Sequence, residues 1–255
     1  MENAMAGYRV KLLDKTQVAE GTLAFSVEKP DGFAFRAGQA AELTFVDPPE
    51  TDDEGNTRTF SIVAAPSENV LTFATRLRDT AFKRVLRGLP PGRELLLDGP
   101  FGSFNLHKNR TRPAVFLAGG IGITPFMSMI RDASGAPQVV DAGRAERPDP
   151  YTIYLFYSNR RPEDAAFLDQ LAAVPQGSCN FRLVATMTDM QESARSWDGE
   201  RGFIDAPMLL RHLPALDGPT YYIAGPPRMV TAMRDMLVSA KVDEDAIRTE
   251  DFGGY

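Results

Sequence analysis

Short apolar runs separated by polar turns recur over the first hundred positions of the chain. They fall at Tyr8–Leu13, Leu23–Val27, Ala41–Val46, Thr59–Val63, Leu71–Thr75 and Glu94–Asp98, and are rich in Val, Leu, Phe and Thr. Turn signals separate them: Asp31-Gly32, Asp47-Pro48-Pro49, Pro66-Ser67 and Pro90-Pro91-Gly92. Strands at this spacing predict an antiparallel β-barrel or sandwich. One short helix interrupts them at about Thr80–Arg87, with Ala81, Phe82, Val85 and Leu86 on one face.

From about residue 113 the pattern changes to strand–helix alternation. Strands are predicted at Val115–Ala118, Thr152–Ser158, Phe181–Thr186 and Thr220–Ala224. Helices are predicted at Pro125–Asp132, Pro162–Ala173, Pro207–Leu213 and Pro227–Ala240. Each helix opens on a proline, where a missing N–H costs nothing. Repeated βα units predict an α/β domain, a parallel sheet with helices on its faces. The polar stretch His107–Pro113 divides the chain into domains 1–108 and 109–255. Asp47–Asn56 and Ala133–Pro150 read as surface loops.

Composition narrows the chemistry. The 255 residues are 43% apolar and 24% charged, an ordinary globular balance. A net charge of −6 argues against a general nucleic-acid binder. The single cysteine, Cys179, excludes an internal disulfide, a Cys-ligated zinc and an iron–sulfur cluster. His107 and His212 lie far apart, so no metal site is expected. Met1–Val10 lacks the apolar core of a secretory signal. The longest uncharged run, Ala114–Ile130, is shorter than the ~20 residues of a spanning helix. A cytoplasmic protein without a membrane span is expected.

The strongest local signal is Ala118-Gly119-Gly120-Ile121-Gly122-Ile123-Thr124-Pro125, between an apolar strand and a helix. Glycines let backbone approach an anion, and a helix N-terminus offers free N–H groups. The same sequence also serves a plain tight connection. Gly225-Pro226-Pro227 follows another strand and is open to the same two readings. In the β half, Arg58-Thr59-Phe60-Ser61 places Arg58 and Phe60 on one strand face, a phosphate partner beside a flat ring. An ordinary barrel strand with a surface arginine is the alternative. Arg76, Arg78, Lys83, Arg84, Arg87 and Arg93 form a basic stretch opposed within it only by Asp79. It suits a cofactor phosphate, an acidic protein partner or plain solvation. Glu250-Asp251-Phe252-Gly253-Gly254-Tyr255 either frays or folds over a flat ligand.

Five motifs in order resemble the ferredoxin–NADP reductase superfamily across nearly the whole chain. They are Arg58-Thr59-Phe60-Ser61, Gly99-Pro100-Phe101-Gly102, the glycine turn ending in Thr124-Pro125, Gly225-Pro226-Pro227 and the aromatic tail. The resemblance implies an FAD-binding antiparallel barrel followed by a nicotinamide-dinucleotide domain. It implies hydride transfer from NAD(P)H to FAD and release of electrons to a separate acceptor. By that resemblance Arg58 and the stretch Thr80–Lys83, with Thr59, Phe82 and Lys83, would serve the FAD pyrophosphate side. Phe60 would stack on the isoalloxazine, Ser61 would lie near N5, and backbone at Arg76 would reach the flavin edge. Gly120, Gly122, Thr124 and Arg160 would hold the pyridine nucleotide, with Gly225 and Pro226 guiding the nicotinamide. Glu250 would relay a proton, Phe252 would lie near the flavin and Tyr255 beyond it. The family usually carries Tyr where this chain has Phe60, and often Cys where it has Ala224.

The resemblance leaves the donor open between NADH and NADPH. Ser158-Asn159-Arg160-Arg161 offers arginines for a 2′-phosphate, whereas Thr186-Met187-Thr188-Asp189 lacks a Ser-Arg pair. The expected acceptor is an acidic ferredoxin or flavodoxin. Two alternatives stand beside this reading: a reductase of free flavin, and a flavin-binding regulatory module without turnover.

Overall fold

The computed structural model describes residues 7–135, 150–174 and 179–253. Six strands form the first sheet: β1 (Tyr8–Ala19), β2 (Thr22–Glu28), β3 (Ala40–Phe45), β4 (Thr57–Ser61), β5 (Val70–Arg76) and β6 (Glu94–Phe101). They pair antiparallel in the order β4-β3-β6-β1-β2-β5. The sheet curls until its two end strands, β4 and β5, approach each other. Alternate residues point inward, so Leu12, Phe25, Leu43, Phe73 and Leu95 share one core. Helix α1 (Ala81–Gly88) packs Phe82, Val85 and Leu86 into that core. Thr80 caps its start, its Oγ1 accepting the Lys83 N–H at 3.4 Å. Lys15 closes the other end, its Nζ donating to the Leu86 and Arg87 carbonyls at 3.1 and 2.7 Å, where the macrodipole favours a cation.

The second sheet is wholly parallel, in the order β10-β9-β8-β7-β11-β12. Its strands are β7 (Ala114–Gly119), β8 (Thr152–Asn159), β9 (Asn180–Met187), β10 (Glu200–Arg201), β11 (Thr220–Gly225) and β12 (Ile247–Asp251). Every residue of β7 and β11 is buried, as expected of central strands covered on both faces. The covering helices are α2 (Thr124–Ser134), α3 (Leu168–Ala172), α4 (Ala206–His212) and α5 (Pro227–Ser239). Phe116 of β7 stacks on Phe126 of α2 with centroids 4.5 Å apart. The fold is thus the barrel-plus-α/β arrangement that the sequence predicts.

Three elements differ from expectation. Ile247–Asp251, which takes in the first two residues of the predicted tail, pairs with β11 from Tyr221↔Ile247 to Gly225↔Asp251 and forms the sheet's sixth strand. The helix predicted over Pro162–Ala173 is broken into a 3₁₀ turn (Pro162–Asp164) and α3, with Phe167 between them in left-handed conformation (φ 61°). The two-residue edge strand β10 has no counterpart in the sequence reading. The predicted loop Ala133–Pro150 lies mostly outside the described residues. Among the described residues no helix is long and apolar enough to cross a membrane, and no His, Cys, Asp and Glu cluster suits a metal.

Polar contacts weld the two sheets together. Ser128 Oγ in α2 donates to the Ala64 carbonyl at 2.6 Å, three residues beyond β4. The Glu20 N–H donates to the Glu163 carbonyl at 2.8 Å. Arg161 reaches Glu20 at 2.7 Å and Asp164 at 3.0 Å, and Arg76 lies 3.9 Å from Asp164. His107 accepts no solvent role: its N–H donates to Tyr222 Oη at 2.8 Å, and its ring lies between that hydroxyl and the Arg112 carbonyl.

Candidate functional site

The glycine turn is built by crowding. β7 and β11 are register neighbours through Ala118↔Ala224, so the chain leaving β7 must pass close to β11. A Cβ at Gly122 would lie 2.3 Å from the Ala224 carbonyl oxygen. Gly120 takes a left-handed φ of 53°, which glycine adopts without a steric penalty. Thr124 fixes the turn from within, its N–H and its hydroxyl (3.0 Å) both donating to the Ile121 carbonyl. Its side chain is buried.

Beside this turn lies a cavity of about 340 Å³ at the carboxyl ends of the parallel strands. An open α/β sheet places its ligand at this position. Gly119 and Gly120 line it with Asn159, Arg160, Thr188, Phe203, Pro226 and Met229, and Arg76 and Arg78 reach in from the barrel. The cavity therefore spans both halves. It brings together four predicted residues: Arg76, Gly120, Arg160 and Pro226. Gly225 ends β11 against the Gly119 backbone, and its carbonyl accepts the Phe252 N–H at 3.0 Å. The tail aromatic is thereby held at the Gly-Pro-Pro step. Tyr255 lies outside the described residues.

A second cluster forms around β4. Arg58 and Phe60 do share one face, but that face is the barrel interior. Phe60 is buried against Phe25, Phe73 and Phe82, and offers no open stacking surface, unlike the sequence expectation. The cause is register: Phe60 pairs with Ala41 and Arg58 with Leu43, both inward-facing. Arg58 lies over the Phe82 ring, 5.2 Å from its centroid, and bonds Glu54 Oε2 at 2.6 Å. Thr59 points outward to Glu42 Oε1 at 3.2 Å. Ser61 is buried at the strand end. Burial lowers the Lys83 ammonium pKa, with Arg78 and Arg58 adding to the effect.

The acidic loop Asp47–Asn56 folds back onto this cluster, a contact the sequence reading missed. Asp52 Oδ2 accepts the Ala81 N–H at 2.8 Å, at the first residue of α1, and Oδ1 lies 3.7 Å from Arg58. One carboxylate thus stands where helix N-terminus and guanidinium converge, a position that favours an anion. The basic stretch is correspondingly less cationic than its composition suggested. Arg84 is neutralised by Glu50 (2.7 Å) and Asp79 (2.5 Å), and Arg76 faces Asp164. Arg160 is held by Asp189 at 2.7 Å.

Glu250 faces a pocket lined by Gly102, Ser103, Phe104, Arg248 and Thr249. Its Oε2 is buried without a hydrogen-bond partner. Burial, with Asp251 adjacent, pushes its carboxyl up to about 7. Phe203, four-fifths exposed at the cavity rim, was also missed. Its position directly after the polar stretch Asp198–Gly202 was its only sequence signal.

A family model described as an oxidoreductase NAD-binding domain matches residues 116–235. Ferredoxin–NADP reductase B of Sorangium cellulosum is 32% identical over 220 residues, covering 83% of each chain. The reductase component of propane 2-monooxygenase of Rhodococcus jostii is 26% identical over 229 residues, covering 88% of this chain and 57% of that one. The chain thus spans less than two thirds of that relative's length. A solved ferredoxin NADP+ reductase from Neisseria gonorrhoeae, with bound FAD and NADP, superposes with a TM-score of 0.74 at 24% identity, covering 96% of this chain and 98% of that one.

Proposed function

Because the chain belongs to the ferredoxin–NADP reductase superfamily and is an FAD-dependent NAD(P)H oxidoreductase, we propose that it delivers electrons singly to a separate redox protein such as a ferredoxin or flavodoxin. Bound FAD supplies the step from a two-electron donor to single electrons; the protein supplies position and electrostatics. What supports the reading is the likeness to reductase components such as that of propane 2-monooxygenase, beside a junction of the two halves where Ser128 of α2 bonds Ala64, three residues beyond Ser61.

Within that reading, Arg58 and the N-terminus of α1, with Thr80 and Lys83, would hold the FAD diphosphate. Phe82 and Phe60 brace Arg58 and Ser61 from inside the barrel. Ser61 would donate a hydrogen bond to the flavin. Gly120 and Gly122 would admit the dinucleotide diphosphate, while Gly225 and Pro226 would guide the nicotinamide. Phe252 would lie near the flavin, and Glu250 would hold a proton near neutral pH. Domains 1–108 and 109–255 divide the two binding tasks. The test is Ser61→Ala: stopped-flow reduction by NADH or NADPH should slow while FAD stays bound. An unchanged rate would remove Ser61 from the mechanism.

One contact favours a second reading, in which flavin exchanges as a substrate. The Asp52 carboxylate competes with a phosphate for the Ala81 N–H. Yellow colour lost on gel filtration would support it, and full retention would dismiss it.

A further inference from the structure

Between β9 and β10 the chain makes an excursion over residues 188–199. Most of it is exposed, and its one regular element is a 3₁₀ turn at Met190–Glu192. Both of its ends reach the cavity wall, through Thr188 at its start and Phe203 just beyond β10. Asp189 in the same segment holds Arg160. An exposed loop with so little regular structure opens readily unless it is tied down.

One carboxylate ties it. Glu163 lies in the 3₁₀ turn that follows β8. Its Oε1 accepts the Ser193 hydroxyl and the Ala194 and Arg195 N–H groups at 3.0, 3.0 and 3.1 Å. Arg161 grips the residue before, donating to the Glu192 carbonyl at 3.1 Å while it pairs with Glu20 of the barrel. The Glu163 carbonyl accepts the Glu20 N–H. One turn therefore fixes the excursion and the β1–β2 hairpin at a single point. The three donors to Oε1 are neutral, so the geometry uses an acceptor atom rather than a charge. The far end of the excursion is fixed as well. Trp197 packs against the core that holds Phe116 and Tyr157, and its Nε1 donates to the Glu200 carbonyl at 2.9 Å. Release of residues 193–195 would leave both sheets folded, and its effect would fall on the cavity wall.

We propose that Glu163 is a positioning residue for the nicotinamide dinucleotide: by accepting from residues 193–195 it keeps Thr188 and Phe203 in place as one wall of the cavity. It acts on nucleotide binding and not on hydride transfer. The inference rests on the reading of this chain as an NAD(P)H oxidoreductase whose dinucleotide enters that cavity.

The test pairs two measurements on the FAD-loaded chain. One is anaerobic stopped-flow flavin reduction over a range of nucleotide concentration, with whichever of NADH and NADPH reduces the wild type. The other is acrylamide quenching of Trp197, the single tryptophan, without nucleotide. Glu163→Ala should raise the half-saturating nucleotide concentration about 10- to 50-fold, for two or three lost hydrogen bonds, at an unchanged limiting rate. Acrylamide should quench its Trp197 more strongly. Glu163→Gln keeps Oε1 and should restore both readouts, with half-saturation within about threefold of wild type. Ser193→Ala removes one donor and should raise half-saturation about 2- to 10-fold. Unchanged half-saturation in Glu163→Ala would overturn the inference even if quenching rose, because the tie would then be structural only. So would a loss confined to the limiting rate, or a glutamine variant as impaired as the alanine one. If Glu163→Ala does not fold, Ser193→Ala decides, and wild-type half-saturation there would overturn the inference. Wild-type flavin that neither nucleotide reduces would overturn the oxidoreductase reading together with it.

Discussion

Replacing Glu250 with glutamine should stabilise the protein at alkaline pH and leave it nearly unchanged in acid. The folded chain raises this carboxyl from an ordinary 4.5 to about 7, through burial first and Asp251 second. No cation or hydrogen bond compensates at Oε2. The folded state therefore holds a proton that the unfolded chain releases above pH 4.5. This group's stabilising effect is complete below pH 4.5 and is lost as pH rises through 7. At 1.36 kcal/mol per pH unit, the loss amounts to about 3 kcal/mol by pH 8. Glutamine matches the protonated form in shape and never ionises, so it escapes the loss. For a chain of this size, 1 kcal/mol moves Tm by roughly 2–4 °C, giving about 6–12 °C in favour of Glu250→Gln at pH 8. Melting curves of both proteins from pH 4.5 to 8.5, followed by circular dichroism, test this. Parallel pH profiles would refute it, since they would mean that Glu250 ionises normally in the folded protein.

Three further outcomes follow from the same structure. Asp164→Asn should destabilise the seam by about 1–2 kcal/mol, because it removes the buried carboxylate that Arg161 and Arg76 share while Arg161 keeps Glu20; urea unfolding reads it, and a change below about 0.5 kcal/mol would count against the seam. Gly122→Ala should lower Tm and weaken dinucleotide binding at least tenfold, because its Cβ would press on the rigid Ala224 carbonyl; wild-type affinity and melting would contradict the crowding argument. Arg58→Ala should weaken FAD binding by about 10- to 100-fold, the loss of a charge-assisted phosphate contact; a variant that purifies with full flavin content would exclude it.

The parts of the fold legible in the sequence are those fixed by local pattern. The β-to-α/β change near 113, the proline-led helices and the glycine turn all depend on residues a few positions apart. The strand β12 was hidden because Ile247-Arg248-Thr249-Glu250-Asp251 is an edge strand with one strongly apolar residue, and only pairing with β11 defines it. The break at Phe167 was hidden because a left-handed bulky residue has no sequence signature. Charge was the least legible. Arg84 reads as part of a cationic patch until Glu50, 34 residues away, folds back onto it. Arg58 likewise reads as a bare phosphate ligand until Asp52 and Glu54 close over it.

The positions where polar groups go unsatisfied explain why the site itself is only partly legible. Sequence motifs report backbone requirements such as Gly120 and Gly122, which tight turns demand whatever they bind. Buried polar groups that the fold leaves unsatisfied are a different kind of signal, visible only once the chain is folded. Among the described residues these include Asn159 Oδ1 and Glu250 Oε2, at the carboxyl ends of β8 and β12, and Thr22 and Asn105. Thr22 pairs with Arg76, and Asn105 receives Arg248 on its carbonyl, so both lie along the contact between the halves. A core that otherwise pairs its polar groups leaves these atoms unmatched along the seam and at the strand ends, where an α/β sheet receives its ligand. That placement comes from the parallel order β8-β7-β11-β12, which brings residues 159 and 250 to the carboxyl end of one sheet, on two different pockets. Hydrophobic periodicity detects strands but not their order, so it predicts the sheet and misses which polar residues share its carboxyl end.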